Sequence, residues 1–487
     1  MSQIRVNDLT FHYEGSYDNI FEHTSFSIDT GWKLGFVGRN GRGKTTLLKL
    51  LMGEHDYEGT ISSSVVFDYF PFPVADTSLT TEAVFASIFD APRWRLEKEL
   101  NLLEVEPDAL DRAFSTLSPG EQTKMLLAAL FSRSGHFLLI DEPTNHLDME
   151  ARAVVSRYLS GKQGFILVSH DRAFLDGCVD HILSINRASI EVQKGTFSSW
   201  EENRKRQDAF ELAENERLTR EIGDLRVAAK RTAEWSDRVE RSKIGEHSFD
   251  RGFIGAQSAR MMKRAKATER RQESAAKEKE KLLRDLERND TLKVTPLRHH
   301  ADILMEALDL SIAYGERVVC GPLNFTLRQG ERAALMGRNG SGKSSIVKLL
   351  TGGEIPHTGT LRTASGLIIS YMPQDTSFLS GTVLDFARAN GLDETLFLTI
   401  LRKLDFPRVQ FEKDMRSFSG GQKKKALLAK SLSERAHLYV WDEPLNFVDV
   451  LSRMQIRDLL LAAKPTMLFV EHDRAFVDEI ATREIRL

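Results

Sequence analysis

Short apolar runs alternate with helix-period stretches over residues 1 to about 200, and the same plan returns from about 299 to 487. Runs at 4–9, 33–37, 137–140 and 165–168 are too short for core helices and are rich in aliphatic and aromatic residues, so they predict buried strands. Runs at 333–336, 438–441 and 466–470 repeat the last three in order and surroundings. Helix-period segments at 46–51 and 345–350 follow one strand of each set. Strands that alternate with helices imply α/β layers around a mainly parallel sheet. A repeat this long is two whole domains, not a solenoid.

The stretch between the copies has a different texture. Residues 203–290 are dense in charge and hold no proline, with glycine only at Gly223, Gly245, Gly252 and Gly255. Leu218, Ile222, Leu225, Ala229, Thr232, Trp235 and Val239 step by threes and fours, the spacing of a helical seam. Met262, Ala265, Thr268, Gln272, Ala275, Lys279, Leu282 and Leu286 make a weaker one. The pattern predicts two long antiparallel helices joined by a tip around 243–259. Forty helical residues reach about 60 Å. The expected domains are 1–202, a helical hairpin linker over 203–298, and 299–487.

Charge sharpens this picture locally, not globally. The net charge is -3, so the chain is no polycation. Between 251 and 271, however, Arg251, Arg260, Lys263, Arg264, Lys266, Arg270 and Arg271 face a single acid, Glu269. Phe249, Phe253, Met261 and Met262 lie beside or among them, and apolar side chains at an exposed tip need a partner. Arg251, Phe253, Arg260, Met261, Lys263, Arg264 and Lys266 are therefore the candidate RNA-contacting residues. Cys178 and Cys320 stand far apart, which excludes a disulfide framework or a Cys-based metal site and suits a reducing cytoplasm. No apolar run approaches the ~20 residues that span a bilayer.

Chemistry enters at two glycine-rich loops between strand and helix. Gly38-Arg39-Asn40-Gly41-Arg42-Gly43-Lys44-Thr45 and Gly337-Arg338-Asn339-Gly340-Ser341-Gly342-Lys343-Ser344 have the pattern of a phosphate loop. Backbone N–H groups and a helix N-terminus, opened by Thr46 or Ser345, would surround the phosphates, and Lys44 or Lys343 would neutralise them. Thr45 and Ser344 offer a hydroxyl to Mg²⁺. Asp141 and Asp442 each end an apolar strand and would hold the metal through water. Glu142 and Glu443 come next, suited to deprotonate an attacking water. His170 and His472 follow the next strand at matching places.

Together with Leu117-Ser118-Pro119-Gly120-Glu121-Gln122 and Phe418-Ser419-Gly420-Gly421-Gln422, this set resembles the ATP-binding cassette (ABC) ATPases over both terminal thirds of the chain. The resemblance implies two cassettes stacked head to tail, an intramolecular dimer in a monomeric chain, with two ATP molecules between them. One site would join Lys44, Thr45, Asp141, Glu142 and His170 to Ser419, Gly420, Gly421 and Gln422. The other would join Lys343, Ser344, Gln374, Asp442, Glu443 and His472 to Ser118, Pro119, Gly120 and Glu121. Tyr13 and Tyr314 match the family's adenine-stacking aromatic, and Gln374 matches its Mg²⁺-ligating glutamine. The first copy departs from the pattern: Phe72 stands where the second has Gln374, and Pro119 and Glu121 where it has Gly420 and Gln422. Phenylalanine ligates no metal and proline removes a backbone donor, so two hydrolytic but unequal sites are expected.

Twin cassettes in one chain with a helical hairpin between them and no membrane span resemble the ABC-F subfamily, whose members bind ribosomes. Tyr69-Phe70-Pro71-Phe72 and Trp441-Asp442-Glu443-Pro444-Leu445-Asn446 are similar to its Lsa/Vga-type antibiotic-resistance branch. The spacing from Phe72 to Leu117 nearly equals that from Gln374 to Phe418, so the first cassette lacks the arm that many housekeeping members insert there. The resemblance implies a factor that enters the ribosomal exit site with ATP bound, without a membrane partner. Its linker tip would reach rRNA and the P-site tRNA at the peptidyl-transferase centre and dislodge a lincosamide, streptogramin A or pleuromutilin. A housekeeping translation factor of the same subfamily and a transporter ATPase subunit are the alternatives.

Overall fold

The computed structural model describes residues 2–14, 19–88, 92–133, 135–145, 147–185, 190–241, 263, 267–268, 270–271, 274, 294–315 and 317–487. The chain forms two compact units, Met1–Ser198 with Asn289–Leu487 and, separately, Ser199–Arg288. Both cassettes belong to the first unit.

In the first cassette β1 (Gln3–Phe11), β2 (Phe21–Asp29) and β4 (Glu58–Ser62) form an antiparallel sheet in the order β2-β1-β4. β3 (Lys33–Val37), β5 (Val66–Phe70), β6 (His136–Asp141), β7 (Phe165–Val168), β8 (His181–Ile185) and β9 (Ile190–Lys194) form the central sheet. Its order is β5-β6-β7-β3-β8-β9, parallel except for the last pair. β7 is buried throughout, as expected of a strand covered on both faces. The run at 4–9 belongs instead to the antiparallel sheet, where it alternates buried and exposed positions.

The second cassette repeats the plan. β10 (Ile303–Tyr314), β11 (Arg317–Arg328) and β13 (His357–Thr363) pair antiparallel in the order β11-β10-β13. β12 (Arg332–Met336), β14 (Ile369–Met372), β15 (Leu438–Asp442), β16 (Met467–Val470) and β17 (Arg483–Arg486) form a parallel sheet in the order β14-β15-β16-β12-β17. In both sheets the strand before the phosphate loop lies inside the sheet, with carboxylate-bearing β6 or β15 two places away. Sequence-distant loops thus meet at one sheet end, the usual place for a ligand in such folds. Val294 packs on the second cassette's core and the Leu297 N–H donates to the Ala436 carbonyl at 2.8 Å. Cys178 and Cys320 are both buried.

In the linker unit one helix runs Phe197–Arg241 and has 45 residues, about 68 Å at 1.5 Å per residue. Leu218 and Ile222 of its seam are buried. The expected tip at 243–259 lies outside the described residues.

Candidate functional site

Each phosphate loop turns from its strand into a helix, Lys44–Leu51 or Lys343–Leu350, through a glycine with φ of 91°. That left-handed conformation is open to glycine at no steric cost. At Gly43 a Cβ would also lie 2.5 Å from the Ile20 side chain. Neither helix has a side-chain cap, so its first N–H groups remain free for an anion. Lys44 Nζ donates to the carbonyls of Gly38 (2.8 Å) and Arg39 (3.1 Å), and Lys343 Nζ to those of Gly337 and Arg338 (both 2.8 Å). Burial pushes both lysines below their ordinary range. Tyr13 OH lies 2.9 Å from Thr46 Oγ1 and Tyr314 OH 3.0 Å from Ser345 Oγ, the same pairing in each copy.

The acidic pairs follow the central strands. Thr45 Oγ1 and Tyr69 OH both donate to Asp141 Oδ2 at 2.9 Å. Asp442 is buried, and burial pushes its carboxyl up against the pull of a Ser344 hydrogen bond. Glu142 and Glu443 have φ of 51° and 50°, a left-handed backbone that costs a side-chain-bearing residue about 1–2 kcal/mol. Their N–H groups hold this turn by donating to Val168 (2.9 Å) and Val470 (3.0 Å) carbonyls on the next strand. Strain recurring at both copies of one residue fits a functional constraint.

Beyond the backbone the two glutamates part. Glu443 Oε2 accepts from Gln374 Nε2 at 2.8 Å and from the Asn446 amide, and its Oε1 lies 3.4 Å from His472 Nε2. Burial pushes Glu443 up, but His472, Gln374 and Lys424 outweigh it and hold the carboxyl below its ordinary range. Glu142 Oε1 lies 3.3 Å from His170 Nε2 without the alignment of a hydrogen bond, and is buried with no other partner. Burial first, then the Asp141 charge, pushes Glu142 up to about 8. Burial, with Lys44 and Arg453 nearby, holds His170 well below its ordinary range.

Each half-site is completed by the other cassette. A cavity of about 570 Å³ is lined by Tyr13, Asn40, Gly41, Gly43, Lys44, Thr45, Thr46, Asp141, Glu142 and His170, and across from them by Ser419, Gly420, Gly421 and Gln422. A second, of about 1080 Å³, joins Asn339, Gly340, Gly342, Lys343, Ser344, Ser345, Gln374, Glu443 and His472 to Ser118, Gly120 and Glu121. Asn40 Nδ2 donates across the interface to the Phe447 carbonyl at 2.8 Å, and a Cβ on Gly421 would meet that oxygen at 2.5 Å. Gly38 and Gly337 stand behind the loops as lysine acceptors. Asp442 and Tyr314 do not line the second cavity directly.

These residues fit a magnesium nucleotide. The uncapped N-termini and paired lysines suit phosphates, and buried Asp442 Oδ1, with no hydrogen-bond partner, suits a cation. In the signatures Ser118 and Ser419 cap helices Pro119–Ser132 and Gly420–Ser433, and Glu121 or Gln422 closes the capping box. Pro119 occupies the first helical position, where Gly420 carries an N–H.

Sequence reasoning missed several members. Asn446 and Phe447 line the second cavity. Lys425 pairs with Asp449 at 2.8 Å, both buried, and Lys124 and Asp148 hold the matching places at the second cavity. Their recurrence at equal offsets in both copies was the available signal. Of the candidate tip residues Lys263 alone is described, helical and exposed; Arg251, Phe253, Arg260, Met261, Arg264 and Lys266 lie outside the described residues. Among the described residues no helix is long and apolar enough to cross a membrane.

Comparison with known proteins agrees with this double arrangement. The sequence profile of the ABC transporter family matches residues 21–145 and 320–446. The chain is 27% identical to the ribosome protection protein VmlR of Bacillus subtilis, over 97% of this chain and 85% of the relative. It is 27% identical to the energy-dependent translational throttle protein EttA of Escherichia coli K12, over 95% of this chain and 88% of that one. Among solved structures, an archaeal ribosome recycling factor in complex with the stalk protein aP1 superposes with a TM-score of 0.64 at 21% identity. That match covers 98% of this chain and 87% of the other.

Proposed function

The chain belongs to the ABC transporter family, and from that premise we propose that this ATPase is a ribosome-binding factor of the ABC-F type. It would protect the peptidyl-transferase centre from lincosamides, streptogramin A or pleuromutilins, as in the Lsa/Vga branch. The observation that carries the reading is the pair of cavities, each built from both cassettes, in a chain whose 45-residue helix follows the first cassette. Two such cavities close only when the cassettes meet, so ATP is the ligand of the closed state and hydrolysis reopens it.

At the second site Glu443 is the general base, held ionised and oriented by His472 and Gln374. Ser344, Gln374 and Asp442 would hold Mg²⁺, which when bound would neutralise phosphate charge. At the first site Thr45 and Asp141 take the metal-holding part, and Glu142 must lose a proton before it serves as base. Lys44 and Lys343 bind phosphate; Ser419 to Gln422 and Ser118 to Glu121 close over it. The tip, with Arg251, Phe253, Arg260, Met261, Lys263, Arg264 and Lys266, contacts rRNA and the P-site tRNA through phosphate charge and apolar wedging.

Similarity to VmlR, a ribosome protection protein by name, supports the protection reading. So does the plain first cassette. Its segment between β5 and the signature holds helices Thr81–Ile88 and Arg93–Leu102, matched by Val383–Ala389 and Glu394–Lys403 in the second, with no added arm among the described residues. EttA, a translational throttle protein by name and equally similar, keeps the second reading open. Co-sedimentation of Glu142→Gln/Glu443→Gln with ribosomes in ATP tests the first half; protein left in the supernatant while still binding nucleotide would sink it. Expression in a susceptible bacterium tests the second half, and unchanged drug tolerance would leave only the housekeeping role.

A further inference from the structure

The first signature carries a carboxylate, Glu121, where the second carries the neutral amide of Gln422. If the second cavity receives a polyphosphate, as proposed above, a negative side chain in its closing signature opposes the ligand. Glu121 is not a silent substitution. Its Oε2 accepts the Ser118 N–H at 2.7 Å, so its place in the capping box is fixed. Its other oxygen, Oε1, stands 3.6 Å from Arg112 Nη1. Arg112 is anchored in turn by Nη2, which donates to the Thr116 carbonyl at 3.2 Å. Burial pushes Glu121 up, but the Ser118 N–H and Arg112 outweigh it, so the carboxylate stays charged.

Both residues line the second cavity together with Lys343, Ser344 and Glu443. The residue matching Arg112 in the other cassette is Lys413, five positions before Phe418 as Arg112 is five before Leu117. Lys413 is exposed and is not among the residues lining the first cavity, where Gln422 has no charge to balance. Arg112 and Glu121 are themselves about two-fifths and one-third exposed; such a pair does little for fold stability. Its consequence therefore lies in what enters the cavity.

We propose that Arg112 is a positioning residue of the second composite site, whose guanidinium cancels the Glu121 charge so that this signature accepts a nucleotide polyphosphate. It turns a carboxylate-bearing signature into the electrostatic equal of the glutamine-bearing one. The inference rests on the ATP reading of that cavity.

The test is a titration of the full chain with fluorescent N-methylanthraniloyl-ATP, in a Lys44→Ala background that silences the other site. Arg112→Gln is expected to weaken binding about tenfold with Glu121 present and less than about twofold in Glu121→Gln, because the interaction energy belongs to the pair. Arg112→Lys, which keeps the charge, is expected to retain most of the affinity. A loss of equal size in both Glu121 backgrounds, or no loss at all, would overturn the proposal, since a purely structural arginine is indifferent to the charge at 121. Failure of the Lys44→Ala protein to bind nucleotide with Arg112 and Glu121 intact would instead overturn the ATP reading, and this inference with it.

Discussion

At one composite site Glu443 sits between His472 and Gln374; at the other Glu142 sits beside Asp141, with Phe72 in the place of the glutamine. The backbones are the same within a degree of φ. The carboxyls nonetheless move in opposite directions, Glu443 down and Glu142 up to about 8. Burial acts upward on both, and at Glu443 it is outweighed. The difference lies in the neighbours: His472, then Gln374 and Lys424, pull Glu443 down, while Glu142 stands beside the Asp141 charge with its Oε1 buried and without a hydrogen-bond partner. A residue type at a conserved-looking motif position therefore does not fix a protonation state; the neighbouring side chains do.

The largest effect expected from this contrast is kinetic. At pH 7 Glu443→Gln should lower ATP turnover about tenfold, to the share that the partly ionised base of the first site still carries. Glu142→Gln should cost far less at that pH, because a group titrating near 8 is only about one-tenth ionised at 7. The sign with pH follows. A raised carboxyl pKa keeps the proton on below about 8, and the base form appears as pH rises through it. Residual turnover of Glu443→Gln, carried by the first site, should climb up to about tenfold between pH 7 and 9. Residual turnover of Glu142→Gln should stay level over the same range. Pre-steady-state phosphate release reads both; a level profile for Glu443→Gln would erase the proposed inequality.

Next in size is the exchange at the loop itself. Gln374→Phe removes the 2.8 Å hydrogen bond to Glu443 and one of the groups that keep it ionised. Turnover at pH 7 should fall about tenfold, with the acid limb of the pH–rate profile displaced upward. Phe72→Gln should do the reverse at the first site, lowering the pH at which Glu142 becomes active. If the acid limb stays in place in both variants, the amide is not what distinguishes the sites.

The fold and the phosphate-loop and signature members of both cavities were legible because each motif is tied to backbone geometry. Glycines at Gly43 and Gly342 must take a left-handed φ, and a lysine and a hydroxyl must follow on the helix start. The strand at 33–37 and its partners were legible as short apolar runs, since buried parallel strands have little else to show. Charge states were not legible. The upward shift of Glu142 depends on burial and on the Asp141 charge, and Arg112 meets a signature residue nine positions away in sequence. The cross-cassette hydrogen bond from Asn40 to Phe447 spans 407 positions, and no local pattern encodes it.

A second contrast runs through the interface beside the sites. On one side Arg172 of the first cassette makes a two-pronged pair with Glu479 of the second (2.8 and 3.3 Å), and Arg457 stands 3.6 Å from the same carboxylate. On the other side the matching positions are Ser156 and Gly177, which line a cavity of about 650 Å³. Arg474, the counterpart of Arg172, turns to Asp478 (2.7 Å) and Glu484 (3.3 Å) of its own cassette. Glu479→Ala leaves the buried Arg172 guanidinium without this carboxylate, and should cost cassette closure about 1–2 kcal/mol. A rise of several-fold in the ATP concentration needed for ribosome retention would register it. Arg474→Ala should leave that concentration nearly unchanged.

The smallest predicted effect separates charge from hydrogen bonding at the same interface. Asn40→Ala removes one neutral donor to the Phe447 carbonyl, worth about 1 kcal/mol. Salt distinguishes it from the ion pair: the Glu479 carboxylate is 39% exposed, so raising ionic strength screens its contribution, whereas a neutral amide–carbonyl bond is little affected. Measured at low and high potassium chloride, the penalty of Glu479→Ala relative to the parent should shrink while that of Asn40→Ala holds. Were both penalties to shrink together, Asn40 would be acting through the charged loop around it. The two contacts would then form one electrostatic device instead of two independent ones.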